Sequence, residues 1–231
     1  MSNIEKSKGT IDYKTPYHWE AQGVSREIQL RRLQFARKYI KPKDFVLDIG
    51  CGDGFLTNAL SELGERIVGI DTSVTGISLA QSRVDKASVE LAVGSASDLP
   101  FKENTFDVVT LFEVIEHISA EQARSAIEEI SRVLREKGKL IITTPNSHNL
   151  HNRILRRRLT SQKHEKEYRQ AELLQLLSGF EQVEISGIYL PLPPFTLLCK
   201  SRYRFIWQIL FPLGKWLPKL ARFIAYCGWK K

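Results

Sequence analysis

The chain has 231 residues and a net charge of +8, from 34 Lys and Arg against 26 Asp and Glu. Its length suits one α/β domain with extensions, and an apolar content of 42% is ordinary for a globular protein. The cysteines, Cys51, Cys199 and Cys227, form no Cys-x-x-Cys pair, which argues against a disulfide framework or a cysteine-based zinc site. A reducing, cytoplasmic setting is therefore expected.

The beginning of the chain is predicted to be a loose polar leader. Residues 1–15 contain no apolar stretch of the kind found in signal peptides, so no such signal is predicted. The leader extends over residues 1–23, and the folded core is expected over residues 24–190.

Helix-like and strand-like patterns alternate through this core. Hydrophobic periodicity predicts helices over residues 24–40, 54–63, 74–85, 119–138 and 171–178. Strands are predicted over residues 44–49, 66–71, 89–93, 106–112, 139–144 and 181–190. With one more strand near the C-terminus, this order predicts an α/β fold with a Rossmann-like, doubly wound, mostly parallel seven-stranded sheet and helices on both faces.

Two local signals predict where the helix after the fourth strand begins and where it ends. Ser119, with Gln122 three residues later, is a capping-box pattern at its start. Gly138 is predicted to end it. Further along, the basic segment 147–169 interrupts the alternation and is predicted to be a loop or an insertion.

The most informative stretch joins the first strand to the helix behind it. There the strand ends in Gly50, Gly52 and Gly54, three glycines at alternate positions. Glycine adopts positive φ and lets a ligand approach without meeting a Cβ, and the following helix N-terminus offers free N–H groups. The turn therefore predicts a nucleotide-like ligand. A dehydrogenase is the weaker alternative, because its fingerprint is Gly-x-Gly-x-x-Gly and Phe occupies position 55 here.

Further segments, each at the end of a predicted strand, extend this pattern. The chain resembles the class I S-adenosylmethionine-dependent methyltransferases, particularly the branch of the ubiquinone-biosynthesis O-methyltransferases. The resemblance covers residues 40–146 well and the rest in outline. It rests on residues 46–54, 68–71, 97–101, 106–118 and 132–146.

The resemblance implies S-adenosylmethionine as cofactor, bound at the carboxyl edge of the sheet. Asp71 would accept the ribose hydroxyls, Asp98 would bind the adenine amino group, and Leu99 with Ile70 would flank the ring. Asp48 would organise the glycine turn or reach the amino-acid end of the cofactor. The full set of candidate cofactor-binding residues is Asp48, Gly50, Cys51, Gly52, Gly54, Asp71, Thr72, Ser97, Asp98, Leu99, Phe112 and Glu113.

His117 is the candidate catalytic base. It follows the fourth strand, where the activated methyl group should point, and imidazole exchanges protons near neutral pH. Glu116 is the second candidate catalytic residue, either orienting His117 or acting alone. The alternative is that His117 has only a structural role, as a residue at the start of a helix that is hydrogen-bonded to the backbone. No metal-ligand spacing stands out, so no metal site is predicted.

The C-terminal extension, residues 191–231, is basic and aromatic. Residues 151–231 hold 15 Lys and Arg against 5 Asp and Glu, and no acidic residue follows Glu184. One interpretation is a peripheral contact with an anionic membrane surface, which would suit an amphipathic acceptor. The other is that the aromatics cover the sheet, with a last strand over residues 222–229. Nucleic acid is a third, less favoured partner.

The predicted reaction is methyl transfer to an oxygen of a small or amphipathic acceptor, such as a quinone precursor or a glycolipid-like molecule. Two alternatives remain from the sequence. One is an RNA-modifying methyltransferase, and the other is a non-catalytic module that binds the cofactor or a membrane.

Overall fold

The computed structural model describes residues 13, 15–156, 164–191 and 204–231. Cys199, part of the basic triplet at 156–158 and most of residues 1–14 lie outside this part of the chain. The helices are α1 Tyr17–Glu20, α2 Gly23–Ala36, α3 Phe55–Leu60, α4 Val74–Arg83, α5 Ala120–Val133, α6 Leu150–Ile154, α7 Gln170–Leu176 and α8 Arg204–Trp216. The strands are β1 Phe45–Ile49, β2 Arg66–Asp71, β3 Val89–Val93, β4 Phe106–Phe112, β5 Leu134–Pro145, β6 Phe180–Ile188 and β7 Phe223–Lys230.

The strands form one seven-stranded sheet in the order β3-β2-β1-β4-β5-β7-β6. The first five strands are parallel, and β7 runs antiparallel to both of its neighbours. The predicted Rossmann-like α/β class is therefore confirmed. The direction of winding reverses between β1 and β4, and open α/β sheets bind their ligands at the carboxyl ends of strands at such a point.

Alternate side chains of the central strands enter two separate cores. On one face, Val109 of β4 belongs to a cluster with Ile130 of α5 and Leu173 of α7. On the other face, its neighbour Val108 belongs to a cluster with Phe35 of α2. Because successive side chains of a strand point to opposite faces, one run of apolar residues can bind helices on both sides.

The strands were predicted more accurately than the helix ends. β2, β3 and β4 have the predicted bounds, and the capping box of Ser119 and Gln122 is formed. The prediction that Gly138 ends the fifth helix is wrong. Leu134 already has extended backbone angles and pairs with Phe106 of β4, so α5 ends at Val133 and Gly138 lies within β5.

The segments around the core differ from the expected leader and insertion. Residues 17–20 form α1 rather than a loose chain, and residues 150–154 of the basic segment form α6. The last strand, β7, begins one residue later than the alternative over 222–229 and ends one later. Among the described helices, none combines the length and apolar character needed to cross a membrane.

Candidate functional site

The glycine turn lies between β1 and α3 and is held in a left-handed conformation. Gly50, Gly52 and Gly54 have φ angles of 75°, 55° and 77°. A Cβ at Gly50 would stand 2.2 Å from Val114 Cγ2, and one at Gly52 would stand 2.4 Å from Tyr13 Oη. Positive φ and close approach both require glycine here. The turn is therefore a cradle whose inner surface is backbone.

A backbone carbonyl and a carboxylate at the end of β2 fix this turn. The N–H groups of Gly50 and Cys51 donate to Ile70 O of β2, at 2.7 and 3.0 Å. Asp71 Oδ2 accepts from Gly52 N at 2.9 Å, and Asp71 Oδ1 accepts from Ser73 N at 2.8 Å. Each carboxylate oxygen has a second acceptor position, so Asp71 can still accept ribose hydroxyls while holding the turn.

Asp48 is buried beneath the turn. Its two oxygens accept from the hydroxyls of Thr57 in α3 and Thr110 in β4, both at 2.7 Å. Burial raises the pKa of Asp48 to about 6, although the two threonine hydrogen bonds oppose this change. Of the two roles predicted for Asp48, this geometry favours the organisation of the turn.

The loop after β3 carries the residues predicted to meet the adenine. Asp98 is exposed, and Ser97 is half-buried with its hydroxyl 3.0 Å from that of Ser95. Leu99 is only 3% exposed, and Ile70 is wholly buried. Both apolar side chains are therefore packed mainly inside the core. Thr72 is exposed beside Asp71.

The N-terminal segment packs on the glycine turn, which the sequence did not predict. His18 N donates to Asp53 Oδ2 at 2.8 Å, and His18 Nδ1 lies 3.0 Å from Asp53 Oδ1. Trp19 Nε1 donates to the carbonyl of Asp53 at 2.7 Å. Tyr13 is 8% exposed with its ring against Gly52. Asp53 stands between the predicted glycines, but its partners come from a segment whose sequence gives no signal for this contact.

One cleft is lined both by residues of the turn and by residues at the end of β4. Phe112, Glu113 and His117 line it together with Asp48, Gly50 and Cys51, and so do Tyr13, His18, Gln29, Arg32, Asp53 and Leu56. Gly52 and Gly54 in the turn, and Asp71 and Thr72 at the end of β2, do not line this cleft, and Ser97, Asp98 and Leu99 lie on the separate loop after β3. The predicted residues thus lie at the carboxyl ends of four parallel strands, but only some of them line the cleft.

A buried ion pair forms one wall of the cleft. Arg32 of α2, 5% exposed, places a guanidinium nitrogen 3.0 Å from Glu113 Oε2. Thr143 of β5 donates to Glu113 Oε1 at 3.2 Å. Burial raises the pKa of Glu113, whereas Arg32 and Thr143 oppose the rise. Glu113 also has a φ of 59°, an uncommon angle for a residue other than glycine and one that recurs at functional sites.

Glu116 and His117 lie in the short 3₁₀ turn after β4 and have different surroundings. His117 lines the cleft, but Glu116 is wholly buried and does not line it. Thr144 donates to Glu116 Oε2 at 3.1 Å. Burial, followed by the nearby Glu113, holds the pKa of Glu116 well above its ordinary value. Of the two predicted catalytic residues, only His117 therefore has access to a ligand in the cleft.

Known proteins match both the sequence and the fold. A family described as "Methyltransferase domain" matches residues 47–142. The ubiquinone biosynthesis O-methyltransferase of Azorhizobium caulinodans is 30% identical over 128 residues, which cover 54% of this chain and 50% of that protein. Its mitochondrial counterpart from Schizosaccharomyces pombe is 31% identical over 141 residues, again 54% and 50%. These matches support a class I S-adenosylmethionine-dependent methyltransferase domain in this chain.

Solved structures share the methyltransferase fold at lower identity. The PH0226 protein of Pyrococcus horikoshii has a TM-score of 0.69 and 19% identity, covering 95% of this chain and 98% of that one. The N-methyltransferase NodS of Bradyrhizobium japonicum, solved with S-adenosyl-L-homocysteine, has a TM-score of 0.66 and 16% identity, covering 94% and 92%. The chain spans about half the length of the curated relatives that it matches.

The matched methyltransferases support S-adenosylmethionine as the cofactor of this chain, and the residues at the turn fit it. The turn presents backbone at three glycines with positive φ, and Asp71 has spare acceptor positions at the end of β2. The role of each individual residue stays a prediction.

Replacing the buried Asp48 tests its raised pKa. Below about pH 4 the carboxyl is protonated in both the folded and the unfolded chain, so burial costs little. As the pH rises through about 6, the folded state must hold a buried charge and loses stability. Relative to Asp48→Asn, the wild type should lose about 2 kcal/mol of unfolding free energy between pH 4.5 and 7. Urea unfolding measures both variants, and the exposed Asp85→Asn is the control. A difference that is constant with pH would contradict the assignment.

Replacing Asp98 tests the adenine contact. Asp98 is exposed, so Asp98→Ala should leave the unfolding free energy within about 0.5 kcal/mol. Loss of a hydrogen bond to a charged group should weaken the binding of S-adenosyl-L-homocysteine about tenfold or more, as measured by calorimetry. Asp85→Ala should bind as the wild type does. Equal affinity of Asp98→Ala and wild type would remove Asp98 from the site.

Proposed function

We propose that the protein transfers the methyl group of S-adenosylmethionine to an oxygen atom of a small or amphipathic acceptor. The observation that carries this proposal is that His117, a residue able to take a proton, lines the same cleft as Gly50 and Glu113. An acceptor hydroxyl in that cleft would have its proton acceptor beside it. A quinone precursor or a glycolipid-like molecule is the acceptor class that we infer.

For this methyl transfer the protein needs mainly to align the acceptor with the cofactor and to remove the proton of the acceptor hydroxyl. S-adenosylmethionine bound at the glycine turn would supply a methyl group activated by its positively charged sulfur, for transfer to the acceptor oxygen. The proton of the acceptor hydroxyl passes to the His117 imidazole. The glycine turn and Asp71 would hold the cofactor, while the apolar surface of Phe112 and Leu56 in the cleft would keep water from the reacting atoms.

The names of the relatives indicate more than one kind of methyl acceptor. Two of them are ubiquinone biosynthesis O-methyltransferases, and another, from Thermotoga maritima, is a ribosomal protein L11 methyltransferase. The oxygen acceptor proposed for this chain therefore draws its support from His117 in the cleft. Methylation of RNA, or cofactor binding without catalysis, would be recognised by the experiments below.

An exposed stripe on α8 supports an amphipathic acceptor met at an anionic membrane surface. Ile209, Leu213 and Trp216 recur along this helix and are 58%, 39% and 77% exposed, and Leu217 just beyond it is 41% exposed. Lys215 and Lys219 are exposed next to them. Apolar side chains flanked by bases suit the boundary between acyl chains and anionic headgroups. The opposite side of α8 buries Leu210 and Phe211, so the exposed stripe is not needed for packing the core.

Labelled methyl transfer tests the reaction. The full chain is incubated with methyl-labelled S-adenosylmethionine and with lipid, small-molecule, RNA or protein extracts, and the polarity of the product is recorded. Label should enter an organic-soluble product. His117→Ala should lower the rate about 100-fold or more with cofactor affinity within about threefold, while His151→Ala should behave as wild type. Label in RNA or protein would favour those acceptors. Unchanged turnover by His117→Ala would rule out its catalytic role.

Vesicle co-sedimentation tests the membrane contact. The chain should bind vesicles that contain an anionic phospholipid and should not bind those made of zwitterionic lipid alone. Replacing Ile209 and Trp216 together with Ser should lower the bound fraction at least about fivefold, because each removes apolar burial. Val74→Ser, at a position 68% exposed in α4, is the matched control. Equal binding by both variants would overturn the contact.

A further inference from the structure

β3 forms one edge of the sheet. In the described sheet it pairs with β2 alone, and the register between the two strands is unbroken over all the residues of β3. Val89 and Leu91 are half-buried, whereas Val93 at the end of the strand is 52% exposed. The open side of such a strand is a template on which a further strand can pair.

The opposite edge strand, β6, has features that hinder pairing with another chain. Its register with β7 shifts between Gln182 and Glu184, which marks a bulge, and Glu181 beside the bulge is exposed. Bulges and charges protect sheet edges. β3 carries one charged residue, Glu90, whose charge is offset by Arg66 of β2 at 2.6 Å. Of the two edges, β3 is therefore the one open to a second strand.

The backbone of β3 shows which of its residues face outward. Ser88 O accepts from an N–H of β2 at 2.8 Å, and Gly94 N donates to a carbonyl of β2 at 3.0 Å. Backbone groups of successive residues in a strand point alternately to its two sides. The even-numbered residues from 88 to 94 thus face β2, and Leu91 and Val93 direct their N–H and C=O groups to the open side.

The sequence of β3 is complementary to itself in the antiparallel direction. Leu91 is the midpoint, with Val89 two residues before it and Val93 two residues after it. A two-fold axis at Leu91 would place Val89 opposite Val93 of the second copy. Glu90 would then lie opposite Ala92 of that copy, so like charges would not face each other directly. Apolar cross-strand pairs stabilise a sheet, and like charges placed opposite destabilise it.

We propose that two copies of this chain associate through β3, antiparallel and centred on Leu91, so that one sheet continues across both chains. A second copy is the occupant that this self-complementary pattern fits, and a two-fold contact is the commonest way in which identical chains associate. Because β3 has only five residues, the contact is small, and the dimer should be weak, with a dissociation constant on the order of 10 µM. The inference does not depend on the proposed methyl transfer.

Charge variants at Ala92 test the association and its register. Ala92 is exposed, and the proposed register puts it opposite Glu90 on both sides of the axis. Ala92→Glu should therefore weaken dimerisation about tenfold or more, and Ala92→Lys should tighten it about threefold. Sedimentation equilibrium of the full chain from about 1 to 200 µM measures the dissociation constant.

Val183, which is 45% exposed in β6, supplies the matched controls. Val183→Glu and Val183→Lys change the net charge by the same amounts as the Ala92 variants, at the other edge of the sheet, and should associate as the wild type does. Circular dichroism and the binding of S-adenosyl-L-homocysteine establish that each variant is folded.

A cysteine at the axis tests the centre of the contact. Leu91→Cys would bring two identical positions together with Cα atoms about 5.5 Å apart, a separation that a disulfide can span. Mild oxidation should convert this variant to a covalent dimer and should leave Val183→Cys monomeric in denaturing electrophoresis. Both are made with Cys199→Ser, because the other native cysteines, Cys51 and Cys227, are buried.

The outcomes are distinct. A wild type that stays monomeric up to about 500 µM overturns the proposal and leaves the edge to a strand of another protein. A dimer to which Ala92→Glu and Ala92→Lys make no difference beyond that of the Val183 controls forms elsewhere, which also overturns it. Folded Leu91→Cys that does not cross-link overturns the register. If Leu91→Cys unfolds, the opposite effects of the two Ala92 variants decide.

Discussion

The left-handed turn at Gly50, Gly52 and Gly54 is the constraint on which the site depends. It lets two consecutive N–H groups reach the same carbonyl, Ile70 O, while Gly52 N reaches Asp71. The end of β1 is thereby tied to the end of β2, and α3 starts in the direction that brings Thr57 onto Asp48. A side chain at the first two glycines would meet Val114 or Tyr13. The left-handed backbone of this turn thus determines the shape of the cradle, its contacts with Asp48 and Asp71, and its packing against Val114 and Tyr13.

Around this turn, polar groups are buried in connected pairs. Asp48 joins β1 to α3 and β4 through two threonines, and the Arg32–Glu113 pair joins α2 to the end of β4. Burial of a charged group is tolerated when hydrogen bonds or an opposite charge compensate it. Glu116 differs, because one oxygen of its carboxyl group lacks such compensation within the described structure. The surroundings of Glu116 thus differ from those of the buried acids that support the cofactor cradle.

The sequence predicted the features that arise from local patterns. β2 and β4 were found with correct bounds because buried parallel strands are nearly continuous apolar runs, and α5 begins at its capping box. β3, a partly exposed edge strand, also has its predicted bounds. Gly138 misled because pairing of Leu134 with Phe106 ends the helix earlier. The contacts of His18 with Asp53 and of His164 with Glu116 and His117 join distant segments. Sequence periodicity carries no signal for such long-range contacts. The packing of His18 on Asp53 and of His164 beside His117 could therefore be seen only in the structure.

The place of β7 in the sheet has a consequence for the order of folding. In the described sheet β6 pairs with β7 alone, yet β7 follows it in the chain and lies between it and β5. The five parallel strands can assemble in sequence, each beside a strand already present. β6 has no pairing partner in this sheet until β7, which follows it in the chain, is in place. Such non-local pairings form slowly because loop closure costs entropy before contacts repay it. We therefore expect the antiparallel end of this sheet to assemble most slowly and to leave an unpaired edge exposed to other chains for longest.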